Sequence, residues 1–199
     1  MFDRTVPYYK LLMDKTDSRQ YPRFTLPPGY SFCFYRPGME QDWMRIQCRS
    51  GHLLSLAEAE AAFEQHFAAH QPELARRCLF ILDPNDTPVA TAAIWPGQHF
   101  GRELQRFHWV AVAQEQQGKG LAKALVTRLL DLYHQLGYEG YLYLTTQTGS
   151  YPAVQLYLRF GFKPYRGQPP ANWPSANFEA ENPVAWQIVE QKLGKPLPR

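Results

Sequence analysis

Apolar and polar positions follow two different periods along the chain, and each change of period marks a predicted strand or helix. Short runs rich in aromatic and β-branched residues predict strands, whereas apolar residues spaced by three and four predict helices with one buried face. The clearest helix covers 118–136 and is followed by Gly137, which suits the left-handed position after a helix. The predicted strands are 30–35, 78–82, 89–95, 107–112, 140–145 and a last one after Gly161-Phe162; the other predicted helices lie near 40–48, from Ser55 onward and over 153–160.

The order of these elements predicts a mixed α/β fold with helices on the faces of a sheet. Prolines avoid the middle of the chain, where Pro152 is the only one between Phe107 and Lys163. Since proline interrupts regular structure, we expect a regular scaffold in the middle and irregular ends. The predicted organisation is an N-terminal extension (1–29) packed on the core, a core domain (30–165) and a Pro-rich C-terminal segment (166–199), the last ending in a strand near 184–190.

Composition excludes several classes of protein. The 199 residues carry a net charge of +3, with 45% hydrophobic residues, which indicates one folded domain with appendages or at most two small domains. The basic residues are scattered, so no nucleic-acid partner is expected. Three widely spaced cysteines indicate reduced thiols rather than a disulfide or metal scaffold. Because no apolar leader or membrane-length run is found, we expect a cytoplasmic protein without membrane contact.

The stretch Trp109–Leu125 carries the most specific chemistry. A strand ends there, and Gly118-Lys119-Gly120 opens an amphipathic helix. Free amides and the positive end of the dipole at a helix N-terminus bind anions, and glycine allows the backbone to approach a phosphate closely. The residues by themselves therefore indicate a phosphate site, with a tight strand-to-helix turn as the open alternative.

Two motifs extend this interpretation. Gln117-x-x-Gly120-x-Ala122 is similar to the Q/R-x-x-G-x-G/A signature of the GCN5-related N-acetyltransferases (GNAT), and residues 150–162 resemble the second motif of that superfamily. Two positions depart from the pattern, since Gln114 replaces a proline and Ser150 replaces an asparagine. The resemblance covers roughly 30–165. The matching positions of the second motif are Ala153, Leu156, Tyr157, Gly161 and Phe162.

The resemblance implies a fold and an activity. The fold is a GNAT-like mixed, mostly antiparallel six- to seven-stranded sheet with helices on both faces and a splayed central strand pair. The activity is transfer of an acetyl group from acetyl-CoA to a primary amine, by direct attack in a ternary complex. A small-molecule acceptor is favoured over a protein, in a monomer or homodimer. The alternative is a non-catalytic regulatory module that binds acyl-CoA.

The resemblance also assigns roles to residues. Tyr157 would be the general acid for the departing thiolate, with a packing tyrosine as the alternative. His108, in alternation with Val110 on one strand, is the candidate base; Glu103, Glu115 or water remain open, as does a purely structural histidine. No metal ligand is assigned. The cofactor-binding residues implied are Val110, Ala111, Val112, Gln117, Gly118, Lys119, Gly120, Leu121, Ala122, Lys123 and Ser150.

Overall fold

A seven-stranded sheet forms the framework of the computed structural model, which describes residues 2–198. The strand order is β2-β3-β4-β5-β6-β1-β7. Strand β5 runs parallel to β6, whereas β6, β7, β2 and β4 pair antiparallel with their neighbours β1 and β3. The predicted mixed α/β class with a mostly antiparallel sheet is confirmed. The strands are β1 (Lys10–Lys15), β2 (Ser31–Phe34), β3 (Cys78–Leu82), β4 (Pro88–Gly97), β5 (Leu104–Val112), β6 (Leu142–Gln147) and β7 (Lys163–Pro164).

Six α-helices accompany the sheet within residues 2–198. The helix predicted from Ser55 begins as expected, because the Ser55 hydroxyl accepts a hydrogen bond from the Glu58 amide at 3.2 Å. The Glu58 carboxylate accepts from the amide of Leu54, one residue before the cap, at 2.8 Å. The helices are α1 (Glu40–Arg49), α2 (Leu56–His66), α3 (Gln71–Arg77), α4 (Leu121–Gln135), α5 (Tyr151–Arg159) and α6 (Phe178–Leu193).

The chain forms two compact units. Unit 1 contains residues 23–94 and 108–137. Its core includes an aromatic cluster in which the Trp43 ring lies 5.5 Å from Phe63 and 5.7 Å from Phe67. Helix α4 presents its predicted apolar stripe to this core. It ends before Gly137, whose φ of 82° is the left-handed conformation expected there.

Unit 2 contains residues 2–22, 95–107 and 138–198. Strand β1 lies at its centre, paired with β6 on one side and β7 on the other. The sequence predicts no strand before Tyr30, so β1 is an addition. Leu11, Leu12 and Met13 are all fully buried, and this run lacks the alternation that signals a half-exposed strand.

The C-terminal segment differs from its prediction. The expected strand near 184–190 is wrong, because these residues lie inside α6. The helix buries Phe178, Ala185, Trp186 and Val189, a spacing that places them on one helical face. The proline content of residues 166–199 favours irregular structure, yet Pro183 lies within the helix.

Candidate functional site

Strand β5 contains a local break at Trp109, whose φ is 51°. A bulky residue in the left-handed region costs about 1–2 kcal/mol, so surrounding contacts must hold it there. The consecutive residues Phe107 and His108 are both buried, whereas Val110 is half-buried. The simple alternation expected to relate His108 to Val110 is therefore interrupted between them.

A buried glutamine from α1 supports this break. The Gln47 side chain is fully buried, and its Nε2 donates a hydrogen bond to the Trp109 carbonyl at 3.0 Å. Its Oε1 lies 3.2 Å from Nδ1 of His52. Burial lowers the pKa of His52 to about 4, so the imidazole is neutral at pH 7. The strained carbonyl therefore has a partner that is itself anchored.

Replacing Gln47 by leucine tests this support. Loss of the amide leaves the Trp109 carbonyl without its donor, which costs about 1–3 kcal/mol when a buried polar group is left unsatisfied. We expect the free energy of unfolding, measured by urea denaturation, to fall by that amount. The exposed Gln41 on the same helix provides the control, since Gln41→Leu should change it by less than about 0.5 kcal/mol. Equal effects of the two substitutions would contradict the assigned role of Gln47.

The loop after β5 leads into α4 through two left-handed glycines. Gly118 has a φ of 82° and Gly120 a φ of 87°, and a Cβ built at either position meets no atom within 4 Å among the described residues. The Gln117 side chain holds the start of the loop, because its Nε2 donates to the Val112 carbonyl at 3.0 Å. The backbone of this loop is therefore open to a ligand at positions where only glycine is unstrained.

Helix α4 begins at Leu121 without a capping side chain from the described part of the chain. The amides of Lys123 and Ala124 donate to the Gly120 carbonyl at 3.0 and 3.2 Å. The amides of Leu121 and Ala122 precede these first helical bonds, and such amides project from the positive end of the helix dipole. This arrangement provides donors for an anion.

Lys119 in the loop and Lys123 in the first turn of α4 are each held by a neighbour in unit 1. Lys119 Nζ donates to Gln116 Oε1 at 2.7 Å, and Lys123 Nζ lies 5.5 Å from the centroid of the Phe24 ring. Both residues lie at the N-terminal end of α4, where the sequence predicts that they add positive charge.

His108 lies in an aromatic environment. Its ring is 4.9 Å from the ring of His66 and 5.8 Å from that of Phe67. The alternative carboxylates are more exposed: Glu103 lies at the surface, and Glu115 forms an ion pair with Arg49 at 2.5 Å. Of the candidate bases named from the sequence, His108 is the buried one.

Tyr157 and Ser150 belong to unit 2. Ser150 is buried and precedes the first residue of α5, and Tyr157 is 5% exposed on the same helix with its ring 5.8 Å from that of Phe162. Within residues 2–198 its hydroxyl has no hydrogen-bond partner. Burial raises the pKa of Tyr157 above its ordinary value of 10, so the phenol keeps its proton at neutral pH.

The sequence by itself does not identify Gln47 as the residue that supports the break at Trp109. A signal was present, because Gln47 stands in line with Trp43 on the buried face of α1. A polar residue within an apolar helical stripe indicates a buried hydrogen bond. Its partner is 62 residues away, so the sequence carries no comparable signal for the pairing.

Comparison with known proteins identifies the family. A sequence model described as "Acetyltransferase (GNAT) family" matches residues 41–162. The chain therefore belongs to the GNAT acetyltransferase family. No curated protein sequence matches the chain significantly.

Solved structures support the same fold. A GCN5-related N-acetyltransferase from Sphaerobacter thermophilus aligns with a TM-score of 0.61 at 19% identity, over 78% of this chain and 48% of the other. A GNAT-family acetyltransferase from Colwellia psychrerythraea aligns with a TM-score of 0.59 at 10% identity, over 80% and 54%. A GCN5-related N-acetyltransferase from Kribbella flavida gives 0.53 at 18%, over 79% and 56%. The chain thus spans about half the length of these structures, and the likeness establishes the fold.

The described residues contain neither a candidate membrane-spanning helix nor a candidate metal-binding group. No helix among the described residues has both the length and the apolar character needed to cross a membrane. Within residues 2–198, no three or more His, Cys, Asp or Glu side chains come together in a group able to hold a metal ion.

Proposed function

We propose that the protein transfers an acetyl group from acetyl-CoA to a primary amine, by direct attack in a ternary complex. The observation that carries this proposal is the entry into α4, where left-handed Gly118 and Gly120 precede a helix that no described side chain caps. Membership of the GNAT family supports it, because GNAT proteins generally use acetyl-CoA. When bound, acetyl-CoA supplies an activated thioester.

The donor set fits a pyrophosphate. The amides of Leu121 and Ala122 lie at the positive end of α4, and a Cβ at Gly120 would project into open space that a phosphate can occupy. Lys119 and Lys123 contribute charge, and Gln117 holds the loop in place. The proposed cofactor-binding residues are Val110, Ala111, Val112, Gln117, Gly118, Lys119, Gly120, Leu121, Ala122, Lys123 and Ser150.

The end of β5 has a proposed role in positioning the acyl group. The left-handed turn at Trp109 changes the direction of the backbone immediately before Val110. We assign the Val110 amide to the thioester oxygen, where a fixed donor stabilises the charge that develops during attack. Val110–Val112 pair with the extended pantetheine as a strand would.

Two side chains transfer protons in the proposed reaction. Tyr157 holds a proton on its hydroxyl oxygen and donates it to the departing sulfur, a role supported by the burial that raises its pKa. His108 accepts the proton that the attacking ammonium must lose, directly or through water. Its ring packs against those of His66 and Phe67, and these contacts support a fixed position for the imidazole.

A calorimetric titration of the full chain tests the proposed function. We expect CoA and acetyl-CoA to bind in the micromolar range or tighter, and ADP, which has the pyrophosphate but not pantetheine, to bind more weakly. A thiol-release assay with a panel of primary amines then reports turnover. Absence of CoA binding would overturn the proposal. Binding without turnover of any amine would instead favour the non-catalytic acyl-CoA module.

A further inference from the structure

A group of basic side chains in unit 2 is separate from the residues assigned so far. Lys10 on β1, His99 after β4 and Arg106 on β5 form what we call the basic cluster. Trp173 connects two of them, since its ring centroid lies 5.0 Å from Lys10 Nζ and 6.0 Å from the His99 ring centroid. Residues almost a hundred positions apart thus meet at one place in the fold.

Sheet geometry places two members of the cluster on the same face. Arg106 is directly paired with Tyr143 across β5 and β6, and Tyr143 is paired with Asp14 across β6 and β1. Lys10 precedes Asp14 by four residues on β1, so the period of two puts both on one face. Arg106 and Lys10 therefore share a sheet face that is only half-buried at both residues.

The cluster is built on a tightly fitted support. The Tyr143 hydroxyl lies 2.9 Å from His99 Nδ1 in a buried position. A Cβ at Gly97 would come within 1.9 Å of that hydroxyl and 3.0 Å of Arg106 Cδ, so only glycine leaves room for both. The backbone also fixes the aromatic side of the cluster, because the Ala171 amide donates to the His99 carbonyl at 2.7 Å.

The electrostatics of the cluster favour an anion. Burial lowers the pKa of Lys10 and of Arg106, and the charge of Arg106 lowers that of Lys10 further. Burial lowers the pKa of His99 to about 4, with the two cations as the next causes. The acidic group on the same sheet face, Asp14, accepts a hydrogen bond from the Tyr141 hydroxyl at 2.8 Å. Within residues 2–198, Lys10 forms no salt bridge.

We propose that the basic cluster binds an oxyanion of the acceptor, so that the acceptor is an amine whose molecule also carries a carboxylate or a phosphate. Arg106 supplies a planar fork suited to two oxygens, Lys10 adds a point charge, and Trp173 offers an apolar face to the rest of the molecule. None of the residues in the cluster is assigned to acetyl-CoA, which leaves the cluster for the acceptor. As a statement about the acceptor, this inference rests on the proposed function.

A pair of probes that differ only in charge tests the oxyanion site directly. N-acetyl-L-phenylalanine and its uncharged amide are titrated by calorimetry into the full chain without acetyl-CoA. We expect the carboxylate to bind at least about 10-fold more tightly than the amide, a difference of about 1.4 kcal/mol. Competition with inorganic phosphate distinguishes the two oxyanions, because stronger binding of phosphate assigns a phosphate-bearing acceptor.

Substitutions in the basic cluster test whether the carboxylate probe binds there. Arg106→Gln and Lys10→Gln should each weaken binding of the carboxylate by about 10-fold or more, whereas Arg102→Gln, which removes an exposed cation of the same unit, should not. Lys10→Gln decides the question if Arg106→Gln does not fold. All folded variants should keep the acetyl-CoA affinity of the wild type. Equal binding of the acid and the amide, or a carboxylate affinity unchanged in both cluster variants, would overturn the inference.

The two proposals fail in different ways. If acetyl-CoA binds and neutral amines are acetylated, but acid and amide probes bind alike, the acetyltransferase function stands and the oxyanion site is wrong. If acetyl-CoA does not bind, but the carboxylate is preferred and Arg106→Gln removes the preference, the site stands and the proposed function is wrong. If both proposals stand, the kcat/KM for L-phenylalanine should exceed that for phenethylamine, since only the former carries the carboxylate that the cluster binds.

Discussion

We expect replacement of Tyr157 with phenylalanine to lower kcat by about 10²- to 10³-fold and to leave the affinity for acetyl-CoA within about twofold of the wild type. A positioned general acid typically contributes 10²–10⁴-fold to a rate, and phenylalanine keeps the ring while removing the proton. The affinity is expected to persist because the proposed proton transfer occurs after binding. Thiol-release kinetics and calorimetry measure the two quantities separately.

A loss of folding stability is not expected to account for the lower kcat of Tyr157→Phe. The Tyr157 hydroxyl has no partner within residues 2–198, so its removal breaks no hydrogen bond described in the fold. The ring contact with Phe162 is retained in Tyr157→Phe. Tyr151→Phe, at the first position of the same helix, is the matched control and should leave kcat unchanged. A wild-type kcat in Tyr157→Phe would remove Tyr157 from proton transfer.

The pH profile gives a second measure of the same role. Burial raises the pKa of Tyr157, so the acid stays protonated as the pH rises through 10, where a solvated tyrosine would ionise. The alkaline loss of activity caused by this group is therefore expected above pH 10. The corresponding limb should be missing from the residual activity of Tyr157→Phe. A limb at the same pH in both proteins would belong to another group.

We expect replacement of Gly120 with glutamine to weaken acetyl-CoA binding by about 30- to 100-fold, or about 2–3 kcal/mol. The added side chain projects into the open space in front of the first turn of α4. It would therefore separate a bound phosphate from the amides of Leu121 and Ala122 at the proposed site. Hydrogen bonds to charged groups contribute about 1.5–3 kcal/mol each, so losing one or two accounts for the effect.

The helix itself offers a matched control at its opposite end. Gly137 has a φ of 82°, against 87° at Gly120, and a Cβ there also meets no described atom within 4 Å. Gly137→Gln therefore introduces the same backbone strain, about 1–2 kcal/mol, without reaching the proposed phosphate site. We expect both variants to lose similar stability and only Gly120→Gln to lose affinity. Equal losses of affinity would show that strain, and not a blocked phosphate site, is responsible.

Local patterns explain how much of the fold was predictable. The helix predicted over 118–136 is found as α4 at Leu121–Gln135, with left-handed Gly118 and Gly120 before its first turn and Gly137 after its end, because these features depend on neighbouring residues. The hairpin of β3 and β4 is equally local, since Asp83 Oδ1 accepts from the Asn85 and Thr87 amides within the turn. The assignment of roles to Tyr157 and His108 remains a prediction.

Elements that depend on distant partners were missed or mistaken. Strand β1 forms by pairing with β6 and β7 from the far end of the chain, and its run Leu11–Met13, buried on both faces, lacks the alternation that would reveal a strand. Helix α6 stands where the proline content predicts an irregular segment with a strand, because its apolar residues repeat at helical spacing and pack against α5 and β1.

The sequence by itself determined the family, the mixed α/β class and the glycine-rich entry to α4, because each is written in residues that are close together in the chain. Only the tertiary structure decided that Trp109 is left-handed, since Gln47 holds its carbonyl from 62 residues away. The same holds for the basic cluster, in which Lys10 and Arg106 share a sheet face. Such groups come together only when distant strands pair, and strand pairing is a property of the whole fold.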